Sequence, residues 1–173
     1  MTLPARGGER AAPLSASFER LFRAEYARVV GIAQRVLGDQ TEAEDVAQEV
    51  FLSFYRAHPA EAPYAASWLH AAAAHAALNA LRTRGRRTRR EAADALPPDA
   101  VASDDPAAQV AAAETRDEVR AVLARIPERS AALLALRYAG LSYSEIATAL
   151  DVRASSVGTL LRRAEDAFRR ELT

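Results

Sequence analysis

The chain contains no cysteine and no lysine among its 173 residues, and tryptophan and methionine each occur only once. The absence of cysteine excludes disulfides and metal sites built on thiolates. Because lysine is absent, arginine carries the basic charge, and the formal net charge of the chain is zero. Because a general binder of polyanions carries excess positive charge, this balance argues against that class of protein.

Long hydrophobic segments are also missing. The most apolar run, residues 68–81, includes His70, His75 and Asn79 and is too short to cross a bilayer. The first 17 residues lack the apolar core that is found in signal peptides. We therefore expect no membrane insertion and a cytoplasmic location.

The motifs of common enzymes are absent as well. His70 and His75 lie five positions apart, whereas zinc ligands that share one helix face lie about four apart. The chain contains neither a glycine-rich phosphate loop nor a nucleophile elbow. We therefore predict a protein that is not an enzyme, with no catalytic residues, no metal site and no cofactor.

Alanine dominates the hydrophobic half of the chain, and alanine is the best helix former. Apolar residues recur at helical spacing in two blocks, which are separated by an acidic stretch that contains proline. These patterns predict an all-α fold with two small helical domains joined by a flexible linker. The predicted parts are a disordered N-terminal tail at 1–16, a first domain at 17–90, an acidic linker at 91–112 and a second domain at 113–173.

The first domain is predicted to contain three helices. Thr41 and Glu44 have the spacing of a capping box, which would open the second helix. Gly38 is expected to stop the first helix. The helices are expected to begin near Ser17, at Thr41, and at Pro63 or Ser67, and the third is expected to end near Thr83.

Charge is distributed unevenly along the chain. Residues 84–90 contain five arginines and no acidic residue, whereas residues 91–118 contain eight acidic residues and one arginine. This segregation suits a protein that contacts both a protein surface and DNA. The solvated faces of an ordinary soluble protein are the alternative explanation.

The C-terminal segment has the layout of a helix-turn-helix, the second helix of which lies in the major groove of DNA. Ser142 and Glu145 form a capping box, and a tight connection follows at 151–152. Hydroxyl and guanidinium groups suit contacts with phosphates and base edges. The residues expected on the outer face of the second helix are Ser155, Ser156, Thr159, Arg162 and Arg163. An ordinary helical hairpin is the alternative.

Three segments resemble the extracytoplasmic-function sigma factors of the sigma-70 family. Residues 126–164 resemble the DNA-binding C-terminal region of that family, and residues 43–51 resemble its first conserved helical region. Trp68 and the segment 79–82 resemble the part that engages the minus-ten promoter element. The three matches occur in the order of the family, with a linker before the last.

The resemblance implies that the helix bearing Asp45, Gln48 and Glu49 binds the coiled-coil clamp of the largest subunit of RNA polymerase. Helical spacing agrees with this role, because it brings the three polar groups near one face. The opposite face carries Val46, Val50 and Phe54.

The resemblance also implies that the third helix captures unpaired bases of the minus-ten element by stacking and by electrostatic contacts. The DNA-binding residues carried over to this segment are Trp68, His75, Asn79, Arg82, Arg84, Arg86 and Arg87. Trp68 is alternatively a core residue. The arginines would contact phosphates, which gives affinity that depends on salt.

Some positions depart from the pattern of the family. Ala71 and Ala74 stand where basic residues are common, and His75 and Asn79 replace the usual Asn and Asp. Gly158 and Leu160 stand where many members carry basic residues, and Arg153 stands where a capping Ser or Thr is usual. At these positions the base contacts and the DNA melting of the family therefore do not carry over to this chain by resemblance.

The resulting hypothesis is a sigma factor that directs core RNA polymerase to promoter DNA through the minus-ten and minus-thirty-five elements. Its expected partners are core polymerase, promoter DNA and an anti-sigma factor. One alternative is a sigma-like protein that binds polymerase or a regulator but does not open promoters. The other is a helix-turn-helix repressor that acts without polymerase.

Overall fold

The computed structural model describes residues 14–92 and 106–173, and within these ranges the chain forms seven α-helices and no strand. The all-α prediction is therefore confirmed for the described residues. The helices are α1 (Ala16–Leu37), α2 (Gln40–Ala57), α3 (Ala65–Ala92), α4 (Pro106–Arg125), α5 (Glu128–Tyr138), α6 (Tyr143–Leu150) and α7 (Ala154–Leu172).

The caps of α1 and α2 each lie two residues earlier than predicted. Ser15, not Ser17, caps α1, because its extended backbone lets its side chain accept a hydrogen bond from the Phe18 N–H. Gly38 ends α1 as predicted, with the left-handed φ of 69° that glycine adopts without steric cost. Asp39 follows at once and caps α2 by accepting a bond of 2.8 Å from the Glu42 N–H.

The third helix extends to Ala92, well beyond its predicted end near Thr83. The segment lacks an apolar period, but arginine has a helix propensity close to that of alanine, so the arginine run continues the helix. Helix α4 begins at Pro106, inside the segment assigned to the linker. The remainder of that segment, residues 93–105, and residues 1–13 of the predicted tail lie outside the described residues.

Helices α1, α2 and α3 pack against one another and form the first helical unit. Its core combines the apolar stripes of α1 and α2 with the small residues of α3. The largest side chains that are fully buried in this unit are Val29, Ile32, Val36, Leu37, Phe54, Leu69 and Leu78.

Helices α4 to α7 form the second unit, in which α7 packs against α4, α5 and α6. Asp151, which connects α6 to α7, has a left-handed φ of 51°. The next residue, Val152, donates its N–H to the Ala147 carbonyl over 2.9 Å and packs partly buried against the core. This short connection holds α6 and α7 as the helix-turn-helix predicted from the sequence.

Helix α3 of the first unit makes most of the contacts with the second unit. It packs against α1 and α2 on one side, and it also contacts α4, α5 and α6 of the second unit. Ala73, Ala74 and Ala77 of α3 are fully buried. Because the distance between packed helices depends on the side chains at the contact, these alanines allow neighbouring helices to approach closely.

Candidate functional site

The outer face of α2 is polar and exposed, while its inner face is buried. Asp45, Gln48 and Glu49 are all exposed, and they lie opposite the buried Val46 and Val50. The inner face packs into the core, so the outer face of α2 presents its acidic side chains to solvent. The predicted separation of the two faces is confirmed.

A cleft between α2 and α3 joins this acidic face to part of the predicted DNA-binding segment. Its walls include Asp45 and Glu49 from α2 and Asn79, Arg84 and Arg87 from α3. Acidic side chains therefore line one wall and basic side chains the other. The structure brings these five predicted residues together.

Trp68 packs partly buried against the core. The centre of its ring lies 5.4 Å from that of Phe54 and 4.9 Å from that of His58. These distances are typical of favourable aromatic contacts. One part of the indole therefore belongs to the core, and the rest of the side chain is accessible.

Arg84 is engaged with the ends of α1 and α2. Its Nη1 lies 3.2 Å from Glu42 Oε2, and its Nη2 donates to the carbonyl oxygen of Leu37, the last residue of α1. A cation at the C-terminus of a helix interacts favourably with its unpaired carbonyl groups. Arg86 and Arg87 are exposed further along α3, and Arg86 donates to the Thr83 hydroxyl.

His75 and Arg82 both contact the second unit. His75 Nδ1 lies 2.9 Å from Glu128 Oε1, and Arg82 Nη1 lies 3.4 Å from Glu128 Oε2. Arg82 also donates to the carbonyls of Ala124 and Ile126 at the end of α4, each over 3.3 Å. Nothing in the sequence signals Glu128 as their partner, because the contacts join residues 53 and 46 positions apart.

The capping box that opens α6 is confirmed. The Ser142 hydroxyl accepts the Glu145 N–H over 3.2 Å, and the Ser142 N–H donates to Glu145 Oε2 over 2.8 Å. Helix α7 then buries Val157, Leu161 and Ala164. On its outer face Ser155, Thr159, Arg162 and Arg163 are exposed, and Ser156 is half-buried.

Gly158 in α7 has no steric reason to be glycine. A Cβ added there would lie 3.5 Å from Tyr143 Cε2, an ordinary van der Waals distance. We therefore expect Gly158→Ala to raise the free energy of unfolding by about 1 kcal/mol, because alanine is the better helix former. Urea denaturation measures the change, and Gly38→Ala, at a left-handed position, should act in the opposite direction. A destabilised Gly158→Ala variant would contradict the expectation.

Glu145 also forms an ion pair with the first unit. Arg28 Nη1 lies 2.9 Å from Glu145 Oε1, and Arg28 Nη2 donates to Oε2 over 3.2 Å. Hydrogen bonds from the Ser142 backbone and hydroxyl lower the pKa of Glu145 below 4.5, and the charge of Arg28 lowers it further. One carboxylate thus stabilises the start of α6 and links α6 to α1.

The lowered pKa of Glu145 makes its contribution to stability depend on pH. A depressed pKa in the folded state stabilises the fold above the unfolded value of 4.5, and this contribution disappears as pH falls through the folded pKa. We expect Glu145→Gln to be less stable than the wild type near neutral pH, and the difference to shrink in acid. Urea denaturation over a pH series measures it. A difference that is constant with pH would contradict this assignment.

Within residues 14–92 and 106–173, no group of three histidine or acidic side chains is arranged to hold a metal ion. In the same part of the chain, the helices are all too short or too polar to traverse a lipid bilayer.

Together these features define a helix-turn-helix protein with an additional three-helix bundle at its N-terminal side. Comparison with known families supports this class: residues 21–87 match Sigma-70 region 2, and residues 116–167 match Sigma-70 region 4. The first match covers most of the three-helix bundle, and the second covers most of the helix-turn-helix unit.

Two relatives extend the similarity over nearly the full chain. The chain is 33% identical over 171 residues to the ECF RNA polymerase sigma factor SigE of Mycolicibacterium smegmatis, covering 95% of this chain and 64% of that protein. It is 31% identical over 179 residues to the RNA polymerase sigma-H factor of Pseudomonas aeruginosa, covering 96% of this chain and 89% of that protein. The chain therefore belongs to the extracytoplasmic-function group of the sigma-70 family, as its resemblance predicted, and this family is not a class of catalytic enzymes.

Proposed function

We propose that this protein directs core RNA polymerase to specific promoters. Its first domain would bind core polymerase and the minus-ten element, and its second domain would bind the minus-thirty-five element. The observation that carries the proposal is the presence of both sigma-70 regions in one chain, in the order of the family. A helix-turn-helix repressor needs only the second of them.

The outer face of α2 is the proposed polymerase-binding surface. Asp45, Gln48 and Glu49 are exposed on a helix whose opposite side is buried. Because the helix is already formed in the free protein, binding would not carry the entropic cost of ordering it. The two carboxylates suit a basic partner surface, and the glutamine adds a donor and an acceptor.

Helix α3 is the proposed minus-ten surface. The accessible part of Trp68 would stack on an extruded base, and Asn79, which is exposed, would form hydrogen bonds to a base edge. The basic residues proposed to hold the phosphates or bases of the same strand are His75, Arg82, Arg84, Arg86 and Arg87.

Helix α7 is the proposed reader of the minus-thirty-five duplex. The side chains proposed to contact phosphates and base edges are Ser155, Ser156, Thr159, Arg162 and Arg163. We expect Arg162→Ala combined with Arg163→Ala to weaken binding of the duplex at least tenfold, because one specific arginine contact contributes about 1–3 kcal/mol. Fluorescence anisotropy at several salt concentrations measures the affinity, which should also become less dependent on salt.

Arg170→Ala is the matched control for this pair, because Arg170 is an exposed arginine in the last turns of the same helix. We expect its effect on the affinity to stay within about twofold of the wild type. Equal losses for Arg170→Ala and for the double variant would rule out a specific role for Arg162 and Arg163.

A run-off transcription screen tests the proposed function. Core polymerase together with the purified protein should start transcripts at defined promoters in genomic DNA, whereas core polymerase alone should not. The absence of any promoter that responds would refute the proposal.

One observation favours a second candidate, a sigma-like protein that binds polymerase without opening DNA. Ala71 and Ala74 stand where family members commonly carry basic residues, and alanine supplies no basic contact with DNA. Ala74 is fully buried and Ala71 is half-buried. Permanganate reactivity of unpaired thymines at the promoter separates the candidates. The sigma factor produces reactive thymines, whereas the second candidate binds core polymerase without producing them.

An anti-sigma factor is a further proposed partner, and the cytoplasm is the proposed location. Such an inhibitor would clamp the two domains and cover both proposed DNA faces, those of α3 and α7. Affinity purification of the protein from its host tests for the inhibitor, because polymerase subunits and an inhibitor are separable by size, and fractionation of the host cells tests the location.

A further inference from the structure

Glu128, the first residue of α5, binds two of the residues proposed to contact the minus-ten strand. One carboxylate oxygen lies 2.9 Å from His75 and the other lies 3.4 Å from Arg82. A carboxylate in this position occupies the donors that a phosphate of the DNA strand would need. The same face of α3 therefore cannot bind Glu128 and DNA at the same time.

The position of Arg82 strengthens this contact. Its side chain is only 22% exposed, and it donates to two carbonyls at the end of α4 as well as pairing with Glu128. These carbonyls lie at the negative end of the α4 dipole, so the guanidinium stabilises both the helix end and the packing of the units. Arg82 is held by the second unit rather than presented to solvent.

A second ion pair joins the units away from the α3 face. Arg28 of α1 binds both oxygens of Glu145 at the start of α6. Neither residue belongs to the surfaces proposed to contact DNA. This pair therefore contributes to the packing of the two units without forming part of either DNA site.

The packed arrangement is too compact to contact both promoter elements at once. Elements centred near positions minus-ten and minus-thirty-five are about 25 base pairs apart, which is about 85 Å of duplex at 3.4 Å per pair. A compact chain of this length has a radius of gyration of about 16 Å. The units must therefore separate before the protein can bind a promoter as proposed.

We propose that Glu128 is an intramolecular latch, an inference that rests on the proposed function. In the free protein Glu128 holds His75 and Arg82, keeps the two units closed and masks the part of the minus-ten face that these two residues form. The outer face of α7 stays accessible, because its hydroxyl and arginine residues are largely exposed in the closed form. Opening releases the minus-ten face, so binding of single-stranded DNA and separation of the units are coupled.

The test uses Glu128→Gln in the full-length chain. Because the chain contains no cysteine, Thr41→Cys and Thr148→Cys, at exposed positions of α2 and α6, give a unique donor and acceptor pair for energy transfer. We expect Glu128→Gln to lower the transfer efficiency. We also expect it to bind a single-stranded minus-ten oligonucleotide about 5–30 times more tightly, because a larger share of molecules is open. Binding of the minus-thirty-five duplex should change less than about twofold.

Two further variants distinguish the latch from a simple effect of charge. Glu118→Gln removes an exposed carboxylate of α4 and should change neither the energy transfer nor the affinity for the oligonucleotide. Arg28→Gln breaks the other ion pair between the units. It should open the protein and therefore tighten binding of the oligonucleotide. Loss of a positive charge alone would instead weaken binding to DNA, so the two effects have opposite signs.

The outcomes separate the latch from the proposed function. Promoter-specific transcription with unchanged energy transfer and oligonucleotide affinity in Glu128→Gln overturns the latch and leaves the function intact. Equal gains of affinity in Glu118→Gln and Glu128→Gln also overturn it. A third outcome is that Glu128→Gln and Arg28→Gln open the protein but no variant, nor the wild type, supports promoter-specific transcription. That outcome refutes the proposed function and retains Glu128 as a contact that closes the two units.

Discussion

Replacing Phe54 with alanine is expected to lower the free energy of unfolding by about 3–5 kcal/mol, as for other fully buried phenylalanines. Phe54 is 0% exposed, and its ring contacts those of His58 and Trp68. Truncation removes these contacts and leaves a cavity beside the ring of Trp68. Since natural proteins are stable by only about 5–15 kcal/mol, this loss is a large fraction of the total.

The sole tryptophan reports on this change directly, because Trp68 lies beside Phe54. Unfolding in urea, followed by tryptophan fluorescence and by circular dichroism, gives the difference in free energy. Leu52→Ala on the same helix is the control, because Leu52 is 46% exposed and should cost less than about 1 kcal/mol. Similar losses for the two variants would show that the packing around Phe54 is not the main source of stability.

Reversing the charge of the α2 surface, by Asp45→Arg combined with Glu49→Arg, is expected to weaken binding to core polymerase at least about 100-fold. Loss of one partner from a charge pair buried in an interface costs about 2–5 kcal/mol, and two arginines would also repel a basic surface. The fold should persist, because both side chains are exposed. Titration of labelled protein with core polymerase measures the affinity.

Glu114→Arg is the matched control for this pair, because Glu114 is an exposed acid of α4 that lies outside the proposed surface. Its affinity for core polymerase should stay close to that of the wild type. If the double variant binds core polymerase normally, the acidic face of α2 is not the polymerase-binding surface.

The helix-turn-helix could be predicted from the sequence because its determinants are local. Ser142 and Glu145 satisfy each other within one turn, and the apolar residues of α7 recur at helical spacing. The same applies to the separation of polar and apolar faces on α2. Such features depend on residues only a few positions apart, and the sequence displays them directly.

The N-caps of α1 and α2 and the length of α3 differ from the predictions made from the sequence. Both Thr41 and Asp39 precede an acid by three residues, and the choice of Asp39 follows from the short connection after Gly38. The apolar period ends near Thr83, yet α3 continues to Ala92. Pairing of Arg84 with Glu42 and with the end of α1 supports this extension, and such contacts do not appear in a helical pattern.

The packing of the two units could not be predicted, because it depends on contacts between distant segments. The prediction that Arg82 contacts DNA comes from the resemblance of residues 79–82 to the family, and nothing near Arg82 in sequence points to Glu128. The pairing of Arg28 with Glu145 spans 117 positions. The proposed DNA contact of Arg82 stays a prediction. The partners of Arg82 and Arg28 within the chain are seen only in the three-dimensional structure.

The alanine-rich middle of α3 links two properties that otherwise look unrelated. Ala74 in this stretch is fully buried, so neighbouring parts of the protein pack directly against it. A long basic side chain at position 74 would add positive charge for DNA, but it would also force the packed helices apart. During evolution, a substitution that supplies a basic contact with melted DNA at this position would therefore weaken the packing of the free protein.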